Sequence, residues 1–146
     1  MAKILLIDDD IERLSPLIQE LQFDGIHKVT LVPDIDRAFE YLQTPTPEID
    51  IIILDLILAY SNKYSKTETL DGRETGYCLL KDIRSGAKGF KVNPNIPVIV
   101  LTNIRKDESL KEKITEFENV IFLEKPVTFD QIYESINRLL DSSSEA

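Results

Sequence analysis

The chain alternates short, unbroken apolar runs with longer stretches whose apolar residues recur every three or four positions. Residues 3–7 (KILLI), 49–54 (ending in IIIL), 96–101 (IPVIVL) and 120–123 (VIFL) form the clear runs, and 27–32 is a weaker one. Val, Ile and Leu in unbroken series are the pattern of parallel strands buried on both faces. Ile11, Leu14, Leu17, Ile18 and Leu21 stand at helical spacing. Pro16 falls within them, which predicts either a kink in the first turn or a start at Ser15-Pro16. Ile35, Ala38, Phe39 and Leu42 mark a second helix, stopped by Thr44-Pro45-Thr46-Pro47. Tyr77, Leu80, Lys81 and Arg84 mark a third that ends near Gly86. Leu110, Ile114 and Phe117 mark a fourth, and Ile132, Ile136, Leu139 and Leu140 a fifth.

Five strands and five helices in strict alternation predict an α/β fold, a doubly wound five-stranded parallel sheet with helices on both faces. The expected domain spans residues 1–141, and 142–146, which has no apolar content beyond its final Ala146, is expected to be a disordered tail. One segment interrupts the economy of the pattern. Residues 59–71 (AYSNKYSKTETLD) are polar and longer than most strand-to-helix loops.

Composition narrows the function. The length of 146 residues suits one domain, and the apolar and charged fractions of 42% and 29% are those of a globular chain. A formal net charge of −9 argues against a nucleic-acid backbone or an anionic membrane as partner. Cys78 is the single cysteine, so no internal disulfide forms, which suits a reducing compartment. Ile4–Ile7 is too short for the apolar region of a signal peptide, and no run approaches the length of a membrane span. A cytoplasmic location is the expectation.

In open α/β sheets, ligands bind beyond the carboxyl ends of the strands. The first run delivers Asp8, Asp9 and Asp10 there, the third Asp55, the fourth Thr102 and Asn103, and the last Glu124, Lys125 and Pro126. Carboxylates this close repel unless a hard cation compensates. Mg²⁺ takes oxygen ligands and often needs only one or two carboxylates besides a phosphate. Asp8, Asp9 and Asp55 suit that role, while Asp10 reads better as a helix N-cap. A carboxylate can also attack phosphorus and carry an aspartyl phosphate. Mg²⁺ and Lys125 would neutralise the phosphoryl oxygens and the Thr102 hydroxyl would donate to one of them. His27, the single histidine, reads as structural or exposed, and Cys78 as a small buried hydrophobe.

These segments together (KILLIDDD, IDIIILDL, GYCLLKDIR, IPVIVLT and FLEKP) resemble the response-regulator receiver domain of two-component signalling, the CheY-like family, from Lys3 to about Leu140. The resemblance implies a flavodoxin-like sheet of strand order 2-1-3-4-5. It implies that Asp55 accepts a phosphoryl group from a histidine kinase or phosphotransfer protein, with Mg²⁺ held by Asp8, Asp9, Asp55 and the backbone carbonyl of Ile57. It further implies that Thr102 and Phe122 act as the switch pair, Phe122 by packing alone, and that the Lys125-Pro126 peptide is cis. The readout face would be built from residues 103–118, 120–123 and 127–140. It would meet a downstream protein target, or a second copy in a homodimer. Such a domain carries and sheds its own phosphoryl group without being an enzyme in the ordinary sense.

The sequence departs from the family in places. Leu58-Ala59 replaces the usual Met-Pro after the acceptor, and Gly76 matches the family's glycine, which makes 59–75 an insertion. That insertion is expected to fold over the pocket, to bind a partner, or to stay mobile, and Tyr60 and Tyr64 are its candidate contact residues. Asn103 stands where a small residue is common. Ile57 and Ile104, two positions past Asp55 and Thr102, flank the path of attacking water and predict slow loss of the phosphoryl group. Two other functions compete. The same fold can serve as a pseudo-receiver, an interaction module that needs no phosphate. A phosphatase with an aspartyl nucleophile places a second acid where Ile57 stands, which counts against it.

Overall fold

The computed structural model of the chain describes residues 2–45, 48–58, 63–65, 69, 74–102 and 108–144. Its strands are β1 (Ala2–Ile7), β2 (His27–Val32), β3 (Ile51–Asp55), β4 (Val98–Thr102) and β5 (Val120–Glu124). They form one parallel sheet in the order β2-β1-β3-β4-β5, the expected doubly wound arrangement. The helices among the described residues are α1 (Ile11–Gln22), α2 (Ile35–Gln43), α3 (Thr75–Ser85), α4 (Glu108–Thr115) and α5 (Phe129–Ser144), with a short 3-10 turn at Phe23–Gly25. None of them is long and apolar enough to cross a membrane.

The unbroken apolar runs conceal an alternation that only the sheet makes visible. Leu5, Ile7, Ile52, Leu54, Val98 and Val100 face one core, with Phe39 and Leu42 of α2, Leu79 and Ile83 of α3, and Leu110 and Ile114 of α4. Ile4, Leu6, Ile51, Ile53, Ile99 and Leu101 face the other, with Leu14 and Leu21 of α1 and Ile132, Ile136 and Leu139 of α5. Both faces of β1, β3 and β4 are therefore buried, which is why every position must be apolar. Each such side chain contributes about 1.5–3 kcal/mol by leaving water.

Boundaries differ from the sequence reading where side chains and prolines intervene. β3 begins at Ile51 because Asp50 turns its carboxylate onto the backbone N–H of Lys3, 2.8 Å away. β4 begins at Val98, immediately after Pro97, which has no N–H for the ladder. α1 begins at Ile11 and runs through Pro16. Asp10 takes the N-cap position but its side chain makes no cap hydrogen bond; it lies 3.7 Å from the Arg13 guanidinium instead. α3 ends at Gly86, whose φ of 71° is the left-handed conformation that glycine adopts without penalty. Phe117 lies beyond the end of α4, and packs on the core from the following turn. α5 continues to Ser144, into the stretch assigned to a tail; 145 and 146 lie outside the described residues. His27 is buried, and its Nδ1 accepts the backbone N–H of Ala2. Cys78 is buried as expected.

Candidate functional site

Parallel strands end their carboxyl termini on one edge, and the chain delivers its acids there. Asp55 is the last residue of β3. Asp8 follows β1, and its N–H extends the ladder by donating to the carbonyl of Val32 at 3.1 Å. By the alternation of the strands, both project on the side that faces α1 and α5. Asp8 is fully buried and Asp55 nearly so, whereas Asp9 is exposed. Carboxylate oxygens of Asp8, Asp9 and Asp55 all lie within 4.8 Å of one another.

Lys125 reaches into this group from the end of β5. Its Nζ donates to Oδ2 of Asp8 at 2.9 Å and to Oδ2 of Asp55 at 3.3 Å. The Lys125 N–H donates to the carbonyl of Thr102 at 2.7 Å, which continues the ladder past β5. The Lys125-Pro126 peptide is cis. The other carboxylate oxygens are fixed by the main chain. Oδ1 of Asp8 accepts the N–H of Asp10 at 2.8 Å, and Oδ1 of Asp55 accepts the N–H of Ile57 at 3.1 Å.

One positive charge serves two buried negative ones, and the balance falls against Asp55. Burial pushes its carboxyl up to about 6, the Asp8 charge adds to the rise, and Lys125 and the Ile57 N–H only partly oppose it. Burial pulls the Lys125 ammonium down, but its two carboxylate partners outweigh that and hold it above its ordinary value. A divalent cation among the three carboxylates would relieve the conflict, and the donor set, all oxygen, is the one Mg²⁺ prefers.

The remaining predicted residues fall around this centre. Thr102 ends β4, fully buried, in register with Glu124. Phe122 is half-buried on β5 with Lys111 of α4 over its ring, 5.8 Å from the centroid. The Ile57 side chain is exposed, beside the acceptor. A cleft of about 470 Å³ opens next to Lys125, lined by Asp10, Arg13, Leu14, Leu17, Pro126 and Val127. Asn103, Ile104 and Tyr60 lie outside the described residues.

Two contacts were not legible in the sequence. An added Cβ at Gly76 would lie 2.4 Å from the carbonyl oxygen of Asp55 and 2.7 Å from Cα of Leu56, so only glycine lets α3 start this close to the acceptor. The Gly76 N–H donates to the carbonyl of Leu56 at 3.0 Å. Tyr64 does not stand exposed on a contact surface. It is buried in the core beneath α2 and α3, edge-on to Phe39 with centroids 5.6 Å apart, and its hydroxyl meets Oδ2 of Asp82 at 2.5 Å.

Comparison with known proteins agrees with this geometry. The family model described as the response regulator receiver domain matches residues 4–137. The 3′,5′-cyclic-nucleotide phosphodiesterase regA of Dictyostelium discoideum is 25% identical over 92% of the chain, which spans 15% of that protein. The transcriptional regulatory protein GlrR of Escherichia coli is 29% identical over 99% of the chain, which spans 28% of it. The chain thus covers under a third of these two relatives. Among solved structures, the receiver domain of the Francisella response regulator 1452 superimposes with a TM-score of 0.71 at 23% identity, covering 98% of this chain and 99% of its own. A match from the first strand into the last helix, on a sheet of the same order, shows that the chain belongs to the response regulator receiver domain family.

Proposed function

We propose that Asp55 accepts a phosphoryl group from a histidine kinase or phosphotransfer protein, in a Mg²⁺-dependent reaction, and that the modified domain changes its grip on a protein partner. The observation that carries this reading is the cluster itself: three carboxylates within 4.8 Å, with the Lys125 ammonium bridging the two buried ones. A carboxylate oxygen of Asp55 attacks phosphorus while the bond to the donor breaks in line. Asp8, Asp9, Asp55 and the Ile57 carbonyl would hold Mg²⁺, which supplies charge neutralisation to the transferring group. The Ile57 N–H and Lys125 orient the Asp55 carboxylate, and Lys125 then pairs with a phosphoryl oxygen. The Thr102 hydroxyl donates to another. Phe122, half-buried, repacks as Thr102 moves, and this alters the surface of α4, β5 and α5. A downstream protein target, or a second copy of the chain, would read that surface.

Incubation with acetyl phosphate and Mg²⁺, followed by intact mass, tests the reading. Wild type should gain one phosphoryl group, and neither Asp55→Asn nor wild type in chelator should gain any. An equal gain in Asp55→Asn would sink the assignment. Failure of wild type to gain any phosphoryl group would favour the pseudo-receiver.

A further inference from the structure

We propose that Arg84 is the pivot of the readout face, a positioning residue that pins the turn between α4 and β5 to the end of α3 while the end of β5 beside Thr102 moves. This rests on the reading of α4, β5 and α5 as the surface that answers to Asp55, and deepens it by saying which end of that surface stays fixed.

Arg84 is the penultimate residue of α3, and its guanidinium forks across two separate connections. One Nη donates to the carbonyl of Pro94, in the loop before β4, at 2.7 Å. The other donates to the carbonyls of Glu118 and Asn119, in the turn before β5, at 3.1 and 3.4 Å. Among the described residues no carboxylate pairs with it. Burial pulls the guanidinium below its ordinary value, and its Nε is buried with no partner. A cation drawn out of water without a counter-charge needs good hydrogen bonds to what surrounds it. Here main-chain carbonyls supply them, so the fork and the turn hold each other.

The turn that Arg84 holds joins both strands. Asn119 has a φ of 58°, left-handed and uncommon for a residue with a side chain. Its Nδ2 donates to the carbonyl of Asn95 at 3.2 Å. Its own carbonyl accepts the N–H of Val98, the first residue of β4, at 2.9 Å, as well as the Arg84 Nη. From that point the two strands run in register, Val98 beside Val120 and Thr102 beside Glu124. Arg84 thus fixes the amino ends of β4 and β5, and Thr102 lies about 13 Å further along at 3.3 Å per residue.

The same helix reaches the acceptor. At its other end the Gly76 N–H donates to the Leu56 carbonyl, and Gly76 lies too close to the Asp55 backbone for any side chain. Gly76 and Arg84 stand about 12 Å apart along the helix at 1.5 Å per residue. α3 is therefore a strut from the acceptor to the turn between α4 and β5. A phosphoryl group on Asp55 would act at the carboxyl ends of β4 and β5, on Thr102 and then Phe122. With the amino ends pinned, the displacement of β5 is greatest beside Thr102 and fades toward Glu118. Without Arg84 the turn loses its anchor, and the displacement spreads into it.

The test compares wild type with Arg84→Met, which removes fork and charge, and Arg84→Lys, which keeps the charge alone. Backbone amide order parameters at Glu118, Asn119 and Val120, read by NMR against Leu5 and Leu6 of β1, report the pin directly. The expected values are about 0.85 in wild type and below about 0.6 in Arg84→Met, with Leu5 and Leu6 unchanged. Arg84→Lys should fall between them, and it decides the matter if Arg84→Met does not fold. Beryllium fluoride with Mg²⁺, a mimic of the phosphoryl group, should shift the wild-type amides of Thr102 and of Phe122, Leu123 and Glu124, and leave Glu118, Asn119 and Val120 nearly in place. In the variants the shifts should extend to those three. Order parameters unchanged in both variants, an equal fall at Leu5 and Leu6, or wild-type shifts as large at Glu118 as at Glu124, each overturns the pivot. If no wild-type amide shifts, the acceptor reading fails, while the order parameters still decide whether Arg84 holds the turn.

Discussion

The molecule places a lysine beside two carboxylates twice, with opposite consequences. At the amino-terminal edge of the sheet, Lys3 pairs with Glu48 through its ammonium, and its backbone N–H binds Asp50. This group is solvated. Its lysine is raised and Glu48 lowered, each chiefly by their mutual hydrogen bond, so both charges are favoured. At the carboxyl edge, Lys125 lies between Asp8 and Asp55 at comparable distances, but burial dominates and Asp55 is pushed up to about 6. Water screens and hydrates the first cluster; the second has lost that hydration and cannot replace it with one ammonium. A surface ion pair is at rest, whereas the buried one is ready for a further positive group.

The largest break in the comparison comes from removing the buried lysine. Lys125→Met leaves two buried carboxylates without a cation, and should cost about 3 kcal/mol of stability at pH 7 in chelator, measured by urea unfolding followed by circular dichroism. The Asp55 carbonyl region offers a second break that does not touch charge. Gly76→Ala forces a methyl into the space 2.4 Å from a backbone oxygen, and should cost about 2 kcal/mol in the same assay, as overpacking against main chain does. It should also slow phosphoryl uptake from acetyl phosphate.

Asp55→Asn sharpens the comparison because its sign is reversed. Folding raises the carboxyl from 3.8 to about 6, so the ionised acid weighs against the fold. The stability linked to this group is fully present below pH 3.8 and is lost as pH rises through about 6. In chelator at pH 7.5 the asparagine variant should therefore be more stable than wild type, by roughly 2 kcal/mol. The gap should close as pH falls toward 4. A variant no more stable than wild type at pH 7.5 would show that Lys125 already compensates in full. Mg²⁺ should then raise the wild-type midpoint and leave that of the variant in place. The smallest effect belongs to the other edge: Lys3→Met should leave the unfolding midpoint within error, at low salt and high.

Much of this site was legible before any fold was known, because strand ends are readable. An apolar run that stops at an acid, repeated on several strands, is enough to bring Asp8, Asp55 and Lys125 to one edge. Boundaries were less legible: two strand starts moved by two residues, one where Asp50 binds the Lys3 N–H, a partner outside its own run, and one where Pro97 inside its run lacks the ladder N–H. The burial of Tyr64 was not legible at all. Tyr64 reads as an exposed aromatic in a polar stretch, and its burial depends on Phe39 and Asp82, 25 positions before and 18 after it.

The sequence by itself determined the alternation of strands and helices, and which chemical groups stand at the strand ends. Both follow from local periodicity and from the direction of parallel strands. Only the tertiary structure decided how strongly those groups act on one another. Water keeps the exposed ammonium–carboxylate pair of Lys3 and Glu48 at ease, and its removal by burial turns the same pair of charges, at Lys125 and Asp55, into a site whose charge is unbalanced. It also decided where Tyr64 goes, since a buried tyrosine settles where a ring and an acceptor coincide, and that coincidence exists only after α2 and α3 have packed.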